Sequence, residues 1–70
     1  MANIQKVNPG DTLYEVQGRG KNKGWYPVNV VKVNKEEGFI EGYWNGNTHI
    51  PPTRYSGPRL KKLRLKQPNF

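Results

Sequence analysis

The sequence predicts a small all-β barrel of four to five antiparallel strands with a basic C-terminal tail. Aromatic and β-branched residues gather in short runs, and Gly, Pro and Asn clusters punctuate those runs. The whole chain is only 70 residues long. A domain of this size buries only about 60% of the surface its unfolded form exposes, and a small sheet covers its core best by curling on itself.

The first strand is expected near Asp11 or Thr12, because Asn8, Pro9, Gly10 and Asp11 carry turn chemistry. From 12 to 17, Thr12, Tyr14 and Val16 alternate with Leu13, Glu15 and Gln17, which suits a strand with one face on a core. Residues 18–24 hold three Gly and three bases with no apolar anchor, and read as an exposed, mobile loop. Trp25, Tyr26, Val28, Val30, Val31 and Val33 then mark a central strand. Pro27 belongs near its start or on a side facing away from a neighbour, and the adjacent valines at 30 and 31 predict a bulge or bend.

Residues 34–38 form a polar break ending in Gly38, after which 39–44 is again strand-like, so the two read as a hairpin. Asn45 and Gly46 tolerate the positive φ of a type I′ turn, with 47–50 as a short return strand. Pro51 and Pro52 end that pairing, and 54–58 reads as irregular. Leu60, Leu63 and Leu65 carry two patterns, the 60/63 spacing fitting a helical turn and 63/65 a strand. An N-terminal arm at 1–9, a barrel at 10–65 and a tail at 66–70 follow. The architecture is that of an SH3-like barrel.

Charge is unevenly placed. Residues 1–53 hold six bases and all five acids, whereas 54–70 hold Arg54, Arg59, Lys61, Lys62, Arg64 and Lys66 with no acid. A net charge of +7 so distributed is the footprint of a protein that meets a polyanion, most commonly nucleic acid. A membrane surface is disfavoured, because Leu60, Leu63 and Leu65 make too small an interfacial face. No apolar run has the length of a membrane span or the placement of a signal peptide, which predicts an intracellular protein of the cytoplasm, nucleoid or nucleus. There is no Cys and one His, His49, so no metal centre or Cys–His pair is expected, and no cofactor. Glu36 and Glu37 point apart on a turn, and no nucleophile stands near His49. A binding protein is predicted, not an enzyme.

Two resemblances arise from longer stretches. Trp25-Tyr26-Pro27-Val28-Asn29-Val30-Val31-Lys32-Val33, then Gly38 to Thr48 with its Tyr43-Trp44-Asn45-Gly46-Asn47 core, then Leu60-Lys61-Lys62-Leu63, resembles a Tudor-type domain over about residues 10–65. Gly20-Lys21-Asn22-Lys23-Gly24 ahead of residues 28–33, followed by Glu41-Gly42, resembles the KOW motif of ribosomal and transcription-elongation proteins. Both imply the same SH3-like barrel. The Tudor resemblance further implies an aromatic cage for a methylated Lys or Arg, at Trp25, Tyr43, Trp44 and Asn47.

The favoured function is binding of nucleic acid, DNA or RNA, with low sequence specificity. Lys and Arg would hold phosphates while aromatic rings stack on bases. Trp44, beside an exposed turn, and Tyr55, among bases, are the expected stacking surfaces, whereas Trp25 and Tyr26 on the central strand are expected in the core. Arg19, Lys21 and Lys23 on the Gly-rich loop, and Arg54, Arg59, Lys61, Lys62, Arg64 and Lys66 along the C-terminal stripe, are the expected phosphate contacts. The competing class is a protein-interaction module presenting the cage or an open strand edge to a partner peptide or protein surface.

Overall fold

The computed structural model describes residues 4–69. Along the chain lie β1 (Thr12–Gln17), β2 (Gly24–Asn34), β3 (Phe39–Trp44), β4 (Thr53–Ser56) and a short helix α1 (Gly57–Lys62), with 3-10 turns at Ile4–Lys6 and Gly20–Asn22. The strands form one antiparallel sheet in the order β1-β2-β3-β4, curled into a half-barrel. The predicted all-β class therefore holds. No helix among the described residues is long and apolar enough to cross a membrane.

The central strand β2 pairs on both sides, with β1 from Asn29 to Gly24 and with β3 from Val28 to Asn34. Its proline is accommodated by register. Tyr14, opposite Pro27, exchanges both of its backbone hydrogen bonds with Arg64 at 2.9 Å, so Pro27 owes β1 no donor. The register shifts between Val30 and Lys32, as the paired valines predict. Val31 occupies the bulge and is exposed, while Val30 and Val33 both turn toward the core. Gly42 lets β3 pass close to β2 here. A Cβ at that position would stand 2.7 Å from Val28 Cγ1 and 2.9 Å from the Asn29 carbonyl oxygen.

The β2–β3 turn follows its sequence signals. Gly38 has a φ of +75° and its N–H donates to the Asn34 carbonyl, while the Asn34 side chain accepts from the Glu37 N–H. At the other end of β3, Asn45 and Gly46 take φ of 55° and 69°, and the Asn47 N–H closes the turn on the Trp44 carbonyl. This is the type I′ geometry the dipeptide predicts.

The chain beyond that turn departs from the sequence reading. Residues 47–50 form no strand, and the stretch 54–58, which reads as irregular, instead completes β4 (Thr53–Ser56) and opens α1. β4 pairs with the far half of β3, placing Tyr55 opposite Ile40. The reason is apolar cargo. Asn47, Thr48 and His49 have nothing to place on the inner face, and Ile50 stays exposed, whereas Tyr55 is fully buried. The Tyr55 ring supplies the inner face with apolar area that residues 47–50 do not have.

The core joins Leu13, Val28, Val30, Ile40 and Tyr55 from the inner face of the sheet with Val7, Leu60 and Leu63 from outside it. Val7, which no periodicity marks in the sequence, is completely buried. Helix α1 is six residues long, too short to persist alone, and is held by Leu60 and Leu63. Pro58 fits its first turn, where no N–H is needed. The 60/63 helical spacing thus prevails over 63/65, and Leu65 is exposed. After Leu63 the chain extends, and Arg64 bridges antiparallel to Tyr14 on the outer edge of β1.

Candidate nucleic-acid interface

Strand alternation sorts the aromatic residues onto two faces. Leu13 and Val28 are register partners and both buried, so Glu15, Tyr26 and Trp44 share the inner side, while Tyr14, Val16, Trp25 and Tyr43 point outward. The rings pair accordingly. Tyr14 and Trp25 meet edge to face at 5.3 Å on the outer face, and Tyr26 and Trp44 lie 4.7 Å apart on the inner side.

This exchanges the expected roles of the two tryptophans. Trp25 stands outside the core cluster, half-buried on the outer sheet face, and Tyr26 is likewise outside it. Trp44 packs against the core and its indole Nε1–H donates to Glu15 Oε1 at 3.0 Å. The β4 pairing stops at Gly42, and Trp44 closes over the open end of the core instead of standing free beside its turn. Tyr55 is fully buried and offers no stacking surface. The cage set is divided as well. Trp25 and Tyr43 face outward and Trp44 inward, while the Asn47 carboxamide oxygen accepts the His49 N–H.

Glu15, which the sequence pattern does not single out, is the polar centre of the inner side. Besides Trp44 it accepts from Gln17 at 3.1 Å and from the Arg59 guanidinium at 3.4 Å. Arg59 also lies over the Tyr55 ring at 4.7 Å. Burial pushes the Tyr55 phenol up from its ordinary value of 10.0, with Glu15 reinforcing the shift and Arg59 and Thr53 opposing it. The buried hydroxyl has no hydrogen-bond partner among the described residues.

The C-terminal bases separate by neighbourhood. Arg54 is exposed, stacks on Phe39 at 4.0 Å and pairs with Glu41 at 3.9 Å, an acid it shares with Lys32. Arg59 is committed to Glu15 and Tyr55. Lys61, Lys62 and Arg64 are exposed and, among the described residues, form no ion pair. These three line a groove of about 580 Å³ whose remaining walls are Val16 and Pro58. Arg64 and Lys66 contribute to a second hollow of about 400 Å³ along residues 64–69.

The groove lies on the seam where the chain after α1 meets β1. Because Arg64 is the register partner of Tyr14, and Val16 that of Trp25, the lining residues Arg64 and Val16 neighbour the Tyr14–Trp25 pair along the sheet. Arg19, Lys21 and Lys23 sit on the exposed loop that closes the same end of the β1–β2 hairpin, shaped by a bond from the Asn22 N–H to the Arg19 carbonyl. Tyr14 and Val16 are the members of this surface that sequence reasoning missed. Their alternation was visible, but which face would be buried depended on the partner strand. No cluster of three or more His, Cys, Asp or Glu that could hold a metal occurs among the described residues. No family model, curated protein or solved structure matches the chain.

Proposed function

We propose that this protein is a small nucleic-acid-binding module of low sequence specificity, and not an enzyme. The observation that carries the reading is the groove of Lys61, Lys62 and Arg64, with no acid in its lining, beside an outward-facing Tyr14–Trp25 pair. Phosphates are held by point charges and a guanidinium, and bases stack on the neighbouring rings. Arg19, Lys21 and Lys23 extend the positive surface at the hairpin end, and Lys66 extends it along the tail. The KOW resemblance of residues 20–42 accords with this reading. The separation of Trp25 and Tyr43 from Trp44 speaks against the Tudor-like cage at those positions.

Low specificity follows from the architecture. α1 is six residues, about 9 Å long at the usual rise per residue, too short to lie along a major groove and present several side chains to base edges.

An amide chemical-shift titration with a short single-stranded RNA and a matched DNA duplex, at low and at physiological salt, tests the proposal. Shifts at Val16, Trp25 and residues 61–64 that weaken with salt are expected, and Lys61→Glu with Lys62→Glu should suppress them. A silent spectrum at low salt, or binding indifferent to the double reversal, refutes the reading.

A further inference from the structure

The seam groove contains more than charge. Val16 and Pro58 give it apolar walls between the cations. It also exposes a piece of open strand edge. Tyr14 directs its backbone N–H and C=O away from β2, toward Arg64, and alternation along an antiparallel strand directs those of Val16 the same way. The bridge ends at Arg64, so beyond it the Val16 donor and acceptor face the groove.

Apolar walls, one backbone donor, one backbone acceptor and three cations are what a nucleotide with an exposed base requires. The base lies against Val16 and Pro58, its edge meets the Val16 backbone groups, and its phosphate meets Lys61, Lys62 and Arg64. The groove volume, about 580 Å³, falls within the range of about 300–1,000 Å³ typical of small-ligand clefts. Trp25, register partner of Val16, then stands where an adjacent base leaves the groove.

A duplex uses little of this. Its bases are paired and stacked with their faces covered, so it would meet the cations and leave the apolar walls and the Val16 edge unsatisfied. An added peptide strand is also a poor occupant, because Arg64 already fills the ladder position at Tyr14, so that at the groove Val16 is the residue of β1 left to pair.

Building on the nucleic-acid reading above, we infer that the groove takes an unpaired nucleotide, and that the ligand is single-stranded nucleic acid in preference to duplex.

The test compares the affinity of labelled oligothymidylate and oligouridylate with that of the same strands annealed to oligoadenylate, all at low salt. The full chain is used in wild-type form and as Val16→Thr with Pro58→Ser. Thr keeps the β-branch that suits a strand, and an unchanged amide spectrum verifies the fold. The expected result is single strands bound at least about tenfold more tightly than duplex, with the double variant losing most of that preference while still binding duplex as before. Equal or tighter duplex binding overturns the inference, as does a single-strand preference that survives the double variant. Either leaves general nucleic-acid binding intact. If neither form binds at low salt, the nucleic-acid reading itself fails and the inference falls with it.

Discussion

Replacing Tyr55 with Phe probes the inner side of the barrel most directly. Tyr55 is completely buried opposite Ile40, and its hydroxyl finds no hydrogen-bond partner among the described residues. A buried tyrosine that donates a good hydrogen bond loses about 1 kcal/mol on conversion to Phe, whereas an unsatisfied buried polar group costs about 1–3 kcal/mol while it is present. The ring remains in Phe, and with it the packing on Ile40 and the Arg59 contact at 4.7 Å. Tyr55→Phe is therefore expected to be neutral or stabilising by up to about 1 kcal/mol, a rise in melting temperature of up to about 4–8 °C for a domain this small.

Urea denaturation at neutral pH measures the change, and a second observable comes from pH. The folded-state phenol pKa is raised above 10.0 by burial and then by Glu15, so the folded protein holds this proton more tightly than the unfolded chain does. Its contribution to stability is complete below the unfolded value and is lost as pH rises through the folded one. Wild type should thus lose stability above about pH 10 more steeply than Tyr55→Phe, the other titrating groups being common to both. Oligonucleotide affinity should be unchanged, because the residue has no exposed surface. A loss of about 1 kcal/mol or more in the variant refutes the account of the hydroxyl, and a loss of binding refutes the placement of the ligand on the outer face.

Gly42→Ala should destabilise by about 1–3 kcal/mol in urea, since its Cβ would collide with Val28 and the Asn29 carbonyl where neither can yield cheaply. Glu15→Gln should cost about 1–2 kcal/mol by removing the anion shared by Arg59 and Trp44, and should shift the emission of Trp44 in a Trp25→Phe background. For single-stranded oligonucleotides, three phosphate contacts at Lys61, Lys62 and Arg64 predict a slope of log affinity against log salt near about −2, and Lys61→Glu with Lys62→Glu should flatten it. A slope near zero in wild type would remove phosphate contact from the proposal.

Local chemistry made much of this fold legible. The valine-rich run of β2, the bulge after Val30, Gly38 closing one hairpin and Asn45-Gly46 the other all follow from what those side chains and φ angles allow within a few residues. So does the concentration of positive charge after residue 53. What depended on distant partners was not legible. Residues 12–17 alternate evenly, and only the pairing of Leu13 with Val28 decides that Tyr14 and Val16 face outward. The roles of Trp25 and Trp44 were inverted for the same reason, because period-two alternation is silent about which side the core lies on.

The C-terminal stretch shows the same division most sharply. As a string it is a stripe of six bases, but the fold commits Arg54 to Phe39 and Glu41, and Arg59 to Glu15 and Tyr55, and gathers Lys61, Lys62 and Arg64 around one groove. Local sequence by itself determined the all-β class, the principal turns and the concentration of positive charge after residue 53, since these are properties of residues and their neighbours in the chain. Tertiary structure alone decided which strand follows Pro52, which aromatic rings meet solvent and which C-terminal cations form no ion pair among the described residues. Those outcomes depend on contacts between residues up to 50 positions apart, as in the bridge from Tyr14 to Arg64, and apolar burial selects among such contacts without leaving a local mark.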